Sequence, residues 1–191
     1  MEDFSFYFGL GWHHIMSLDA LDHILFIVAL AAIYLLEDWK RVLILVTAFT
    51  IGHSITLALS VFDVVRLNSK WVEFLIPCTI IITAISNLFQ HKFVSTSVRV
   101  NYYLALFFGL IHGLGFANSL RFMLARDQSL ATGLLAFNVG LEAGQLVIVV
   151  LILLLAWFAM HVLKLQRREW VIFLSAAVFS LALQMAAERC P

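Results

Sequence analysis

The chain has 191 residues, 63% of them hydrophobic and only 13% charged, with a mean hydropathy of +0.99. A soluble domain carries about 25% charged residues, and a fold of this length cannot hide so much apolar surface from water, so a soluble globular protein is excluded. Twelve basic residues balance twelve acidic ones, which leaves no excess positive charge for nucleic acid and no basic run for an anionic lipid surface.

Each crossing of a hydrocarbon core takes about 20 apolar residues. The length therefore allows about six crossings with short loops, and the expected fold class is all-α, a polytopic transmembrane helix bundle forming a single transmembrane domain over residues 1–191. Residues 1–11, MEDFSFYFGLG, read as an interfacial lead-in, and their acidic start makes a poor secretory signal. The spans then fall at about 12–36, 42–62, 71–89, 102–124, 130–163 and 170–187. Pro77 lies inside the third, where Thr79 is placed to help satisfy the carbonyl that the proline frees. The fifth stretch, at 34 residues, is too long for a simple crossing and is expected to tilt, kink or extend beyond the membrane. Trp12, Trp39, Trp71 and Trp170 stand at span ends, as an aromatic belt would place them. Cys78 and Cys190 match neither a metal nor a disulfide pattern.

Loop charge sets orientation. With the N-terminus outside, inner loops hold seven Lys and Arg against five outside, and the first span is preceded by none and followed at once by Lys40 and Arg41. Both termini are therefore expected outside.

Polar groups within the spans carry the functional signal, because a central Asp costs about +2.5 to +3.5 kcal/mol on insertion and such groups face the bundle interior or a pathway. In HHIMSLDALDHILF, Asp19, Asp22 and His23 share one helical face, and carboxylate oxygen with imidazole nitrogen suits a divalent first-row ion, catalytic zinc or a proton relay. Asp19 could equally sit solvated at the interface, and His14 could be a bystander. In TAFTIGHSITLALS, His53 has Thr50 and Thr56 on its own face, with Ser54 pointing about 100° away. In FFGLIHGLGFANS, His112 lies between Gly109 and Gly113, which permit a close helix approach. In FNVGLEAGQLV, Asn138, Glu142 and Gln145 form a polar stripe that needs partners on other helices, for which the histidines are the obvious candidates; a structural hydrogen-bond staple between helices is the competing reading. Counted along straight spans, His23, His53, His112 and Glu142 all reach about 15–18 Å, near the midplane.

Four motifs in order, GWHHIMSLDALDHILF, TAFTIGHSITLALS, FGLIHGLGFA and FNVGLEAGQL, resemble the HupE/UreJ family of small bacterial membrane proteins over nearly the whole chain. DALDH at 19–23 and GHS at 52–54 are also similar to motifs of the larger nickel/cobalt transporters. The resemblance implies a multi-pass protein of the bacterial inner membrane that carries nickel or cobalt, with Asp22, His23 and His53 contacting metal and with His112 and Glu142 in the smaller family's own motifs. The chain departs from the family's HPxxGxDH signature: His14 stands nine residues before His23, with no Pro or Gly between them.

The expected function is thus a divalent-metal permease, nickel or cobalt favoured, with Asp22, His23, His53, His112 and Glu142 as the metal site and Asp19, Thr50, Ser54, Thr56, Asn138 and Gln145 in support. His or Glu protonation would help release the ion. No Gly-rich phosphate loop is present for ATP hydrolysis. Two alternatives compete: an intramembrane zinc-dependent hydrolase using the same His, Asp and Ser inventory, similar to the ceramidase-like superfamily, and a structural subunit with polar staples. The partners expected are membrane lipids and the divalent ion, with room for a homo-oligomer.

Overall fold

A computed structural model describes residues 2–65, 67–90, 98–124 and 130–191, with the side chains at 2–3, 19, 98–100, 116–124 and 130 outside the description. Among the described residues seven α-helices follow one another and there is no strand. They are α1 (Glu2–Met16), α2 (Leu21–Ala31), α3 (Trp39–Val61), α4 (Ser69–Phe89), α5 (Val98–Leu124), α6 (Leu130–His161) and α7 (Arg167–Glu188). Four of these, α3, α4, α6 and α7, are long and apolar enough among the described residues to cross a membrane, and α1 with α2 make a broken fifth. α5 is 27 residues long.

Two expectations about the first span change. Residues 2–11 are not a lead-in but most of a helix, and Tyr7 within it is buried. The span is also not one helix: a short 3₁₀ turn over Leu18–Ala20 separates α1 from α2, and the two are bent by 69°. Ser17 begins the break, with an extended backbone and its hydroxyl donated to the His14 carbonyl at 3.2 Å. α7 also starts earlier than expected, because the side chains of Gln166 and Glu169 form a reciprocal capping box at its first turn.

The helices pack in three main pairs, α3 with α5, α1 with α6, and α4 with α7. The α3–α5 seam depends on glycine. A Cβ at Gly52 would strike the Leu106 carbonyl, and one at Gly109 would strike the Phe49 carbonyl. Since Phe49 meets Gly109 and His53 meets Gly113, the two helices run in the same direction. Backbone blocks backbone here, so no rotamer change relieves a larger residue. Gly52→Val is expected to cost about 3 kcal/mol or more, beyond the usual overpacking range, read as loss of the monodisperse detergent-solubilised protein on size exclusion, whereas Ile51→Val on the exposed face leaves it unchanged.

Polarity is arranged inside out. Val150, Leu151, Leu154, Leu155, Trp157 and Phe158 of α6 face outward, while His23, His53, His112 and Gln145 are buried. With no hydrophobic drive toward a lipid-facing core, small residues at seams and polar contacts between helices hold such a bundle. The aromatic belt is partly realised. Trp39 and Trp71 are exposed at the starts of α3 and α4, but Trp170 is buried against Ala156 and Ala159, and Trp12 lies well inside α1. Cys78 and Cys190 are free thiols.

Candidate functional site

The break between α1 and α2 brings His14, at the end of one half-helix, onto His23, at the start of the other. Their ring centroids are 5.1 Å apart. His23 is the hub of the cluster: it also meets His53 at 5.6 Å and His112 at 5.0 Å. Four of the chain's seven histidines, from α1, α2, α3 and α5, therefore converge on one point. The spacing that distinguishes His14 from the family signature does not keep it away, because the turn folds the intervening residues back.

The hydrogen bonds around the rings decide their chemistry. Asp22 Oδ1 accepts from the backbone N–H of His23 and lies 2.8 Å from His23 Nδ1. A carboxylate only accepts, so Nδ1 carries the ring proton and Nε2 is left with a bare lone pair. His23 Nε2 is buried and has no hydrogen-bond partner. Thr79 works the same way on His112. Its hydroxyl donates to the Ile76 carbonyl at 2.7 Å and sits 3.0 Å from His112 Nε2. With the hydroxyl proton already committed, Thr79 accepts from Nε2–H, and the lone pair of His112 falls on Nδ1, which is buried and has no partner. Thr79 thus orients a site histidine and donates to the Ile76 carbonyl, while the carbonyl four residues before Pro77 is that of Glu73. His53 is fully buried, and neither ring nitrogen makes a hydrogen bond of good geometry, the nearest polar side chain being that of Asn138.

Buried polar atoms almost always find partners, so this concentration of bare nitrogen lone pairs is a demand for a Lewis acid or a proton donor. Carboxylate and hydroxyl acceptors behind the rings are the usual outer partners of metal-binding imidazoles, fixing tautomer and basicity. Two imidazoles on one ion, with metal–nitrogen bonds of about 2.0–2.1 Å, place their centroids roughly 4.5–5.2 Å apart. The His14–His23 and His23–His112 separations fall in that range, and His23–His53 lies just beyond it. Among the described residues, no three His, Cys, Asp or Glu side chains are placed to hold a metal ion as they stand. The rings are close enough, and rotation must bring their nitrogens together.

A cleft of about 190 Å³ leads to the cluster, lined by His14, Asp22, His23, Glu73 and His112, with Arg189 at its edge. Arg189 Nη1 donates to Asp22 Oδ2 at 3.2 Å. Nothing in the sequence pattern marks Arg189 or Glu73 as members of this cleft. A larger cavity, about 520 Å³, lies at the opposite ends of the same helices, between the C-terminal halves of α2 and α4 and the N-terminal half of α5. Phe26 and Phe108 line it and touch each other at 5.9 Å, and Phe26 also rests on His112 at 5.3 Å and stacks on Phe49 at 4.7 Å. An aromatic layer therefore separates the second cavity from the histidines.

The α6 stripe forms a second polar locus rather than a wall of the cleft. Glu142 accepts from Thr47 at 2.7 Å and does not line the cleft beside the histidines. Gln145 accepts from Thr50 at 2.7 Å while its amide nitrogen has no partner. Asn138 donates to the Leu134 carbonyl of its own helix and neighbours the His53 ring. Ser54 and Thr56 bond back to carbonyls of α3, at Thr50 and Gly52. The side chain of Asp19 lies outside the described residues.

Comparison with curated proteins and with solved structures returns no match. A family model described as HupE / UreJ protein matches residues 1–189. With its apolar helices and buried polar centre, the chain is an integral membrane protein and belongs to the HupE/UreJ family.

Proposed function

We propose that the chain is a permease for a divalent transition-metal ion, nickel or cobalt by the family's association, working in the bacterial inner membrane. The observation that carries this reading is the pair of imidazoles, His23 and His112, whose lone pairs are turned bare into the bundle by Asp22 and Thr79. Imidazole nitrogen is the donor that nickel and cobalt favour among neutral protein groups, and His14 and His53 stand in ring contact with His23 to complete a shell.

Transit explains the rest of the arrangement better than residence does. Among the described residues no three donor atoms are already placed around one ion, so binding requires the rings to turn, which keeps affinity low enough for release. Helices broken near the midplane are a recurring device of secondary transporters, and α1–α2 is such a break. Cavities at opposite ends of the same helices supply an entrance and an exit. Six alternating crossings, with α1 and α2 as halves of the first, put α3 and α5 in the same direction, as their contacts require. With the N-terminus outside, the histidine cleft opens outward and the larger cavity inward. The hydrolase alternative loses ground here, since Ser54 commits its hydroxyl to the Thr50 carbonyl.

Uptake of radioactive nickel or cobalt by cells expressing the protein tests the reading. His23→Ala and His112→Ala are each expected to lower uptake by about tenfold or more, at least the loss seen when only the partner of a ligand is removed. Uptake unchanged in both variants would sink the site assignment.

A further inference from the structure

The cleft brings together charged side chains from three helices: Asp22 on α2, Glu73 on α4 and Arg189 at the end of α7. Asp22 uses its two oxygens for different tasks. Oδ1 faces inward and holds His23, while Oδ2 faces the mouth of the cleft and accepts from Arg189. The Asp22 side chain is 11% exposed and that of Arg189 30%, so the guanidinium reaches inward from solvent to a nearly buried carboxylate. The carboxylate nearest the bare nitrogens already has a cation on it, and that cation belongs to the chain.

The charges show what must happen when a metal arrives. With neutral imidazoles, two carboxylates and one guanidinium leave the cleft at −1. A dication added with Arg189 in place makes it +1, with one cation on the Asp22 carboxylate and another across the His23 ring from it, where screening is weak. A dication that displaces Arg189 into water makes it neutral. Arg189 follows the last turn of α7, so its long side chain can swing clear without moving a packed helix.

We propose that Arg189 is a tethered counter-cation for the site, which holds Asp22 when no metal is bound and which the charge of a divalent ion on His23 and His112 displaces. The inference rests on the divalent-metal reading above. It makes the end of α7 a selectivity plug: a monovalent ion offers Asp22 no more charge than the guanidinium it would replace, and only a dication gains by the exchange.

The test is nickel chloride titrated calorimetrically into the purified full-length protein in detergent, wild type against Arg189→Gln and Arg189→Lys. If Arg189 occupies Asp22 about nine-tenths of the time, removing it tightens apparent binding about tenfold. Arg189→Gln is expected to show that gain. Arg189→Lys keeps the charge but loses the fork geometry, and is expected to fall between the two. Equal or weaker nickel binding in Arg189→Gln, with wild type binding normally, would overturn the plug and leave the permease reading standing. No nickel binding by any of the three folded proteins would overturn the divalent-metal reading and the plug with it. Should Arg189→Gln fail to fold, Arg189→Lys decides, since binding weaker than wild type contradicts displacement.

Discussion

Replacing His53 with leucine is expected to make the protein more stable and to cost it about tenfold or more in metal uptake. The imidazole is fully buried, and neither ring nitrogen makes a hydrogen bond of good geometry, with Asn138 its nearest polar neighbour. An unsatisfied buried polar group costs about 1–3 kcal/mol, and an apolar side chain of similar volume avoids that cost. The thermal midpoint of the purified protein should therefore rise in detergent, while uptake falls because the ring in contact with His23 is gone. The combination separates a functional histidine from a structural staple. A staple lost to leucine would lower the midpoint. A bystander would leave uptake untouched. His112→Leu makes the contrast internal, because His112 is bonded to Thr79 and its replacement strands that hydroxyl oxygen's acceptor site. Its midpoint should rise less than that of His53→Leu, or fall.

The legible part of this site follows from the bilayer itself. Lipid penalises every buried polar group, so His53 and His112 stand out in apolar helices without any alignment, and both belong to the cluster. His23 and Asp22 stand out for the same reason, but the route by which they arrive does not. Residues 12–31 contain no proline, and the helical break falls at Ser17–Ala20, where the sequence offers only Ser17, whose hydroxyl competes for the His14 carbonyl, and Asp19. The equal-depth count for His23 assumed a straight helix, whereas His23 lies in the first turn of α2.

The place of Glu142 depends on geometry of another kind. A polar stripe defines a face, and the face of α6 meets Thr47 and Thr50 of α3, which a sequence pattern cannot pair across 95 residues. Thr79 and Arg189 were harder still. A threonine in a helix ordinarily bonds back to its own backbone, and Thr79 does so while also orienting His112. Arg189, just past the last helix, resembles any loop charge until α7 is docked and its guanidinium meets Asp22.

Opening the aromatic layer should have the largest effect on both stability and selectivity. Phe26 is fully buried between the two cavities, stacked on Phe49 and touching Phe108 and His112. Phe26→Ala removes a ring from a packed position, and such truncations cost about 3–5 kcal/mol. A void beside the 520 Å³ cavity would also connect it toward the histidines. Two readouts therefore move in opposite directions. The thermal midpoint drops, while passive metal flux into proteoliposomes rises and loses the proposed preference for nickel or cobalt over manganese, since ions cross without being handed between imidazoles. Phe26→Leu refills much of the volume and should recover most of the stability and most of the selectivity. If Phe26→Ala lowered flux in step with stability, the aromatic layer would be ordinary packing, and the path between the cavities would have to run elsewhere. If it raised flux while His23→Ala abolished it, the ion must meet the histidines before it meets the rings, which is the order in which the cleft, the cluster and the second cavity lie along α2.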